Sequence, residues 1–239
     1  MRILVLQHNR IEHPGIFRQY LSEDGHDWLP VLLDEGENLP PLEGFDALWV
    51  MGGAMDAWEE ERYPWLRDEI ELIREAVEVR GMPFLGFSLG HQLLATALGG
   101  ECAKSKQPEI GVLSVQLTEI GATGIIFDDI PDVFQCLQWH SSEVTKMPAG
   151  AACLATSPTC SVQAMSWGPR AYSMQFHLEV DPEIVANWTA IPDHKLLLDA
   201  ALGENGTSVL QTSCGDQMAS FNNMAERVYI NWLQATAQV

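Results

Sequence analysis

The segment 82–95 joins an apolar run, one reactive side chain between small residues, and the start of a helix. The apolar run ends at Gly86 and Phe87, the reactive group is the hydroxyl of Ser88, and after Gly90 the helix opens with His91 and Gln92. A turn this tight needs neighbours without bulky side chains. The pattern predicts a nucleophile elbow, which raises one side chain above the carboxyl end of a sheet. Open α/β folds bind their ligands at that edge.

The order of predicted elements indicates an α/β fold in one domain that spans residues 1–239. Strands alternate with helices in the first hundred residues: strands at 2–7, 27–33, 45–51 and from Pro83, helices at 15–23 and 65–79. This alternation favours a parallel sheet with right-handed crossovers. Short strands that favour antiparallel or mixed additions follow, at 111–118, 133–138, 151–155, 161–166 and 171–175. From about residue 182 the chain is predicted to be helical, with a last helix over 216–234.

Composition and charge disfavour several classes of partner. The net charge of −20 disfavours phosphate backbones, which need dense Lys and Arg, and also anionic membrane surfaces. No apolar run approaches the roughly 20 residues of a membrane span. The five cysteines form no C-x-x-C pair and no metal-like cluster with histidine, which suits reduced thiols. We therefore expect a cytoplasmic protein that binds neither nucleic acid nor membrane.

Two further pieces can meet the elbow at one rim of the sheet. His177 and Glu179 follow a predicted strand at a spacing that places both side chains on the same face. A carboxylate beside an imidazole fixes its tautomer and raises its basicity. Gly52 and Gly53 follow the third strand, and a backbone N–H can approach an oxyanion closely where no side chain intervenes. Taken alone, each piece also fits a structural role, as a satisfied ion pair or a plain turn.

These motifs resemble those of class I glutamine amidotransferases. Residues 86–92 read Gly-Phe-Ser-Leu-Gly-His-Gln, and the family pattern is Gly-x-Cys-x-Gly-x-Gln. Residues 176–179 read Phe-His-Leu-Glu, where the family has Phe-His-Pro-Glu. The first pattern matches everywhere except at the nucleophile, and the second lacks only its proline. The resemblance covers most of the chain and implies a flavodoxin-like three-layer α/β sandwich with a central, mostly parallel sheet.

The resemblance implies hydrolysis of the γ-amide bond of glutamine, or of an N-substituted γ-glutamyl amide, through a covalent acyl-enzyme. No metal or cofactor is implied. Ser88 takes the position of the nucleophile, His177 is the base, and Glu179 is its carboxylate partner. The N–H groups of Gly53 and Leu89 are implied to form the oxyanion hole, the second at a helix N-terminus whose dipole favours negative charge.

The resemblance also implies a set of substrate-binding residues. Gln92 lies one helical turn beyond the nucleophile and is implied to contact the amino-acid end of the substrate. The segment 140–142, His-Ser-Ser, is predicted to follow a strand and is implied to hold the α-amino and carboxylate groups. The full set is Gly52, Gln92, Ser141 and Ser142.

A serine at position 88 changes what such a site can do. A serine hydroxyl is far less acidic than a thiol and needs concerted proton removal by the base. In a site shaped for sulfur the oxygen is misplaced, and a misplacement of about 1 Å can cost roughly 10²-fold in rate. We therefore predict that the chain binds substrate but turns it over slowly or not at all. Three explanations stay open: an engineered Cys-to-Ser change, a natural serine hydrolase, and a natural non-catalytic homologue.

Several functions remain open within this reaction class and beside it. In one, glutamine is hydrolysed and ammonia passes to a separate synthetase subunit, because the chain has no Gly-x-x-x-x-Gly-Lys-Ser/Thr loop for ATP. In another, an N-substituted γ-glutamyl compound releases glutamate, which requires an apolar pocket for the amine. A non-catalytic glutamine-binding or docking subunit is the alternative of a different class, and a peptidase is less favoured. The candidates to line an amine pocket are Trp58, Tyr63, Trp65 and Trp139.

Overall fold

The computed structural model describes residues 1–237, and these residues form one nine-stranded sheet covered by helices. The strands are β1 (Arg2–Gln7), β2 (Asp27–Leu32), β3 (Ala47–Val50), β4 (Phe84–Phe87), β5 (Glu101–Leu117), β6 (Val133–Lys146), β7 (Ala151–Thr156), β8 (Ala164–Trp167) and β9 (Ala171–Met174). The helices are α1 (Phe17–Glu23), α2 (Trp65–Arg74), α3 (Leu89–Ala97), α4 (Glu119–Thr123), α5 (Pro182–Ala190), α6 (Pro192–Leu202) and α7 (Gly206–Ala237). A π-helical turn, Glu75–Val79, extends α2. None of the helices in this described part is long and apolar enough to cross a lipid bilayer.

The sheet is parallel on one side and antiparallel on the other. Its strand order is β2-β1-β3-β4-β9-β8-β7-β5-β6. The pairs from β2 through to β9 are parallel, and those from β9 through to β6 are antiparallel. The α/β fold and the antiparallel additions predicted from the short strands are thus confirmed. Strands β4 and β9, which precede the two main motifs, are direct neighbours, so their carboxyl ends share one edge.

Alternating residues of the buried strands supply two separate cores. In β1, Ile3 and Val5 pack into the core that contains α1 and α7, whereas Leu4 and Leu6 pack into the core that contains α2 and α3. A strand buried on both faces reads as a continuous apolar run, which is what residues 2–6 show after the first position. The predicted three-layer arrangement is confirmed by these two cores.

Strands β5 and β6 extend well beyond their predicted bounds of 111–118 and 133–138. They pair from Gln116↔Val133 to Glu101↔Lys146, with a register shift between Lys104 and Glu109. The added part of β5 is polar and mostly exposed. The added part of β6 alternates between buried and half-buried residues, but most of them are polar, so no apolar alternation marks either segment in the sequence. The segment 140–142 was predicted to follow a strand, and this is wrong, because it lies inside β6.

The last helix is also longer than predicted, since α7 spans Gly206–Ala237 where the pattern indicated 216–234. Gly215 is the reason, because an interior glycine is unfavourable in a helix and suggested a boundary. Proline at position 192 lies in the first turn of α6, where a backbone N–H would have no intrahelical partner in any case. It separates α6 from α5.

Candidate active site

Ser88 occupies a strained turn between β4 and α3. Its φ of 51° and ψ of −106° lie in a region that side chains other than glycine rarely adopt. The Ser88 N–H donates to the carbonyl of Met174 at 2.8 Å, which fastens the turn to the end of β9. Strain of this kind costs on the order of 1–3 kcal/mol and persists only where the surroundings enforce it. The segment 82–95 therefore has the strand–turn–helix form that its sequence predicts.

The glycines on either side of Ser88 are required by close packing. A Cβ on Gly90 would overlap the carbonyl oxygen of Val50 in the neighbouring β3. A Cβ on Gly86 would lie 2.8 Å from the carbonyl oxygen of Gly90. Helix α3 can approach the sheet edge this closely only because both positions lack a side chain.

His177 forms a short, buried ion-pair contact with Glu179. The His177 Nδ1 and Glu179 Oε1 atoms are 2.5 Å apart, and the backbone N–H of His177 donates to the carbonyl of Leu137 at 2.9 Å. The ring of Trp188 packs edge-on against the imidazole, with 4.7 Å between ring centroids. Burial disfavours the protonated ring, but the charge and hydrogen bond of Glu179, with the charge of Glu12, outweigh it and raise the pKa of His177. The imidazole is oriented, and its Nε2 is left for chemistry.

A chain of buried amides connects the Ser88 hydroxyl to the segment in β6. Gln175 Nε2 donates to Ser88 Oγ at 3.4 Å, and Gln92 Nε2 donates to Gln175 Oε1 at 3.0 Å. Gln92 Nε2 also reaches the carbonyl of Ser142 at 3.2 Å. Among the described residues, no hydrogen bond joins Ser88 Oγ to His177. Sequence reasoning missed Gln175, although a polar residue directly after β9 was a signal for it.

The two residues implied to form the oxyanion hole lie against each other. A Cβ on Gly53 would stand 2.9 Å from Leu89 Cδ2 and 2.8 Å from His8 Cβ, so the turn after β3 needs glycine there. Leu89 is the first residue of α3, where backbone N–H groups have no intrahelical partner. His8 Nδ1 lies 2.8 Å from the carbonyl of Gly52 and holds the turn from below.

A cavity of about 220 Å³ opens beside Ser88. Of the predicted site residues it is lined by Gly53, Ser88, Leu89, Gln92, Ser141, Ser142 and His177. The other two predicted residues, Gly52 and Glu179, do not line the cavity but contact residues that do. Residues that sequence reasoning did not place in the site also line it: Glu12, Met55, Asp56, Arg62, Ile110, Trp188 and Leu197.

Two of the four aromatic candidates line the cavity, namely Tyr63 and Trp139. Trp65 stacks on His8 at 5.5 Å instead. Trp58 is 40% exposed and lies outside the lining. The ring of Trp139 packs edge-on against Trp188 at 5.9 Å, so an aromatic corner borders the imidazole.

The opposite part of the lining is polar and charged. Ser142 Oγ donates to Asp56 Oδ1 at 2.5 Å, and Lys104 Nζ donates to the same oxygen at 2.9 Å. Arg62 lies over the ring of Tyr63, 5.0 Å from its centroid. A carboxylate, a hydroxyl and a guanidinium at one end can hydrogen-bond the ammonium and carboxylate groups of an amino acid.

One group in the described part has the composition of a metal site: Glu109, His140 and Cys160 offer ligand atoms within 4.8 Å of one another. The Glu109 carboxylate already accepts four hydrogen bonds, from His140, Ser157, Thr159 and Gln163. Burial raises the pKa of the Cys160 thiol to about 12, which keeps it neutral. The group is a satisfied polar network that braces β6, and it does not fit a metal.

Fold and constellation together define an α/β protein whose candidate site is built on a strand–elbow–helix turn. The family model described as glutamine amidotransferase class-I matches residues 21–186. The chain therefore belongs to the class I glutamine amidotransferase family.

Relatives and solved structures agree with this assignment. The glutamine amidotransferase-like protein YfeJ of Salmonella typhimurium is 32% identical over 191 residues, which are 77% of this chain and 78% of that protein. The glutamine-hydrolyzing GMP synthase of Aeropyrum pernix is 30% identical over 187 residues, 76% of this chain but 33% of that longer protein. A subunit of the glutamine-hydrolyzing GMP synthase of Sulfolobus acidocaldarius is 30% identical over 151 residues, 63% of this chain and 76% of that protein.

The solved structures extend the likeness to the whole chain. A glutamine amidotransferase from Thermotoga maritima has a TM-score of 0.86 and 28% identity, covering 100% of this chain and 99% of that chain. One from Methylobacillus flagellatus has a TM-score of 0.84 and 27% identity, covering 98% and 94%. Membership of this family supports an amidohydrolase type of activity.

Proposed function

We propose that the chain is a single amidotransferase-like domain whose site binds γ-glutamyl amides and is built to hydrolyse them. The observation that carries this proposal is the meeting of the Ser88 elbow with the His177–Glu179 pair at one cavity. Residue 88 attacks the γ-carbonyl while His177 takes its proton and passes it to the departing amine. Water then attacks the acyl-enzyme with the same base and releases glutamate. The N–H groups of Gly53 and Leu89 stabilise the oxyanion in both steps.

The serine makes this form slow. Its Oγ accepts a hydrogen bond from Gln175 Nε2, and among the described residues no hydrogen bond joins it to His177, so the hydroxyl proton has no direct contact with the base. A thiol has longer bonds and ionises near neutral pH beside an imidazolium, and it does not depend on that contact. We expect Ser88→Cys to raise the release of glutamate from a γ-glutamyl amide by about 10²-fold or more, in line with the cost of a misplaced nucleophile.

Steady-state assays of glutamate release measure this directly, with Ser88→Ala as the inactive control. Equal rates for the serine and cysteine forms would contradict the proposal that sulfur is the nucleophile the site was shaped for. A rate for Ser88→Ala equal to that of the cysteine form would exclude covalent catalysis at this position.

The aromatic corner supports an N-substituted amide as substrate in preference to glutamine. The leaving amine must lie against His177, which protonates it; Trp188 packs against that imidazole, and Trp139 packs against Trp188 in the same cavity lining. An apolar substituent on the amine buries surface there, worth about 25 cal/mol per Å². We expect kcat/KM of the cysteine form to be about tenfold or more higher for γ-glutamyl anilides or alkylamides than for glutamine. Trp188→Ala is expected to reduce that preference, and a panel in which glutamine is the better substrate would instead support ammonia production.

A second candidate is a non-catalytic subunit that binds glutamine or a γ-glutamyl group, and Ser88 is the observation that favours it. Calorimetry separates the two, because a binding subunit takes up glutamine yet stays inactive after Ser88→Cys. A separate synthetase subunit is the partner proposed for the reading in which the site takes glutamine, since the relatives include a protein named as one subunit of GMP synthase. The free state of all five cysteines supports a cytoplasmic location.

A further inference from the structure

Glu12 is a buried carboxyl group inside the cavity for which the proposed mechanism has no use. It lies in the loop after β1, its residue is 7% exposed, and it lines the cavity. No hydrogen bond or ion pair joins its carboxyl to another of the described residues. Burying a carboxyl group without a hydrogen-bond partner destabilises the folded protein, so its presence here points to a role in function and not in stability.

Its position relative to the reacting groups is narrowly defined. The point where a Cβ on Gly52 would stand is 3.1 Å from Glu12 Oε2, 3.3 Å from His177 Cε1 and 3.6 Å from Ser88 Cβ. Carboxyl, imidazole and nucleophile therefore surround the same small space. Because Glu179 is hydrogen-bonded to Nδ1 of the same ring, Nε2 is the nitrogen that can take part in proton transfer near this space.

The loop that carries Glu12 is fixed to the segment that carries the base. The N–H of Ile16 donates to the carbonyl of Glu179 at 2.8 Å. Gly15 has a φ of +51°, and a Cβ there would overlap the same carbonyl oxygen. The N–H of Glu12 itself closes a turn onto the carbonyl of Asn9 at 2.9 Å. These backbone contacts hold the loop that carries Glu12 against the segment that carries His177.

We infer that Glu12 accepts a hydrogen bond from the departing nitrogen and then from the water that attacks the acyl-enzyme. This role rests on the proposed hydrolysis. In the first step the C–N bond breaks as His177 Nε2 gives its proton to the nitrogen, whose own N–H donates to Glu12. In the second step water gives one proton to Nε2 while its other O–H donates a hydrogen bond to Glu12, and its oxygen bonds the carbonyl carbon. The bond to residue 88 then breaks as Nε2 returns the proton to the side chain of residue 88. Glu12 gains and loses no proton over the cycle.

The charges around Glu12 fit a group that works at neutral pH. The titratable groups that face it are His177, Glu179 and His8. Burial raises the pKa of Glu12 to about 7, with His177 acting in the opposite direction. The negative charge of Glu12 in turn helps to raise the pKa of His177. Removing that charge must lower the pKa of the base.

The test uses Ser88→Cys as the active parent and compares Glu12→Gln in that background. Glutamine keeps the size of the side chain but removes the charge and offers the water one weaker acceptor. We expect glutamate release to fall about tenfold or more. The ratio of γ-glutamyl hydroxamate to glutamate, with hydroxylamine present, is expected to rise, because this stronger nucleophile depends less on orientation than water does. The acid limb of the kcat/KM profile is expected to move to lower pH.

Glu119→Gln is the matched control, since Glu119 is exposed in α4 and lies outside the cavity. It should leave rate, partition and pH profile unchanged. A purely structural role for Glu12 would lower the rate without moving the partition or the acid limb, and that outcome overturns the inference. If the Ser88→Cys parent forms neither glutamate nor hydroxamate, the proposed function fails first. Thermal unfolding of each variant shows that the comparison is made between folded proteins.

Discussion

Steric contacts determine which residue types are allowed at the glycine positions of segment 86–90. Gly90 lies inside α3, where alanine would ordinarily stabilise the helix, yet its Cβ would overlap the carbonyl oxygen of Val50. Sequence alone shows a glycine next to a serine and cannot show the strand that it touches. The contact with β3 exists only once the parallel sheet has formed, which is why the motif predicts the turn but not the reason for its second glycine.

Two glycine-to-alanine changes, one in α3 and one in α7, test the close contact between Gly90 and β3. Gly90→Ala is expected to destabilise the protein by about 2–4 kcal/mol, because the backbone of α3 or β3 must move. Gly215→Ala in α7 has nothing within 4 Å of its added Cβ and is expected to stabilise by about 0.5–1 kcal/mol. Urea unfolding measures both. Both changes replace glycine by alanine within a helix, so they differ mainly in the steric overlap at position 90. Equal free energies of unfolding for the two variants would contradict that overlap.

Among the secondary-structure elements, the loop after β1 and helix α2 together hold the turn that carries Gly52 and Gly53. His8 follows β1, and its two ring nitrogens meet the carbonyl of Gly52 at 2.8 Å and the Glu69 carboxylate from α2 at 3.0 Å. Both side chains are fully buried. Burial disfavours a charged His8, but the charge and hydrogen bond of Glu69 outweigh this and raise its pKa. The turn is therefore positioned by a buried imidazole that bridges a helix and a loop.

The raised pKa of His8 makes the stability of this support depend on pH. Its contribution is fully present below the unfolded pKa of about 6.5 and is lost as the pH rises through the higher folded value. We expect Glu69→Gln to destabilise the protein by about 1–3 kcal/mol at pH 6 and by less at pH 9. Urea unfolding at the two pH values checks this, with the exposed Glu78→Gln as control. A loss that is the same at both values would mean that His8 is not the titrating partner.

The elements show where sequence reasoning succeeds and where it stops. Strands β1, β3 and β4 are buried on both faces, so their apolar runs identify them without reference to partners. The polar ends of β5 and β6 are strands because they pair with each other, and pairing is not written in either segment. For the same reason Glu12 and Asp56 escaped prediction: each lies in a loop whose sequence carries no signal until neighbouring strands bring it to the cavity.

For the molecule as a whole, α7 covers one face of the sheet and stabilises it. Trp232 is fully buried there, with its ring 5.3 Å from that of Trp49 and its Nε1 donating to the carbonyl of Phe84 at 3.2 Å. The helix thus contacts β3 and β4, the two strands that lead to the Gly52–Gly53 turn and to the elbow. Its effect on the site passes through the packing of β3 and β4.

We expect Trp232→Ala to lower the free energy of unfolding by about 3–5 kcal/mol, because a large ring and a buried hydrogen bond are lost together. Val209→Ala on the same helix, 46% exposed, should change it by less than about 0.5 kcal/mol. Denaturant unfolding compares the two. A small effect at Trp232 would show that α7 lies on the sheet without supporting it.

The pairing of β4 with β9 has a consequence for how the protein acquires activity. Ser88 follows the first strand and His177 the second, and the whole of β5 to β8 lies between them along the chain. Contacts between segments so distant in sequence close large loops and form slowly. On refolding, we expect the helical signal of the Ser88→Cys form to return before catalytic turnover, because turnover requires the completed sheet. The delay between the two signals then measures how long the sheet takes to form.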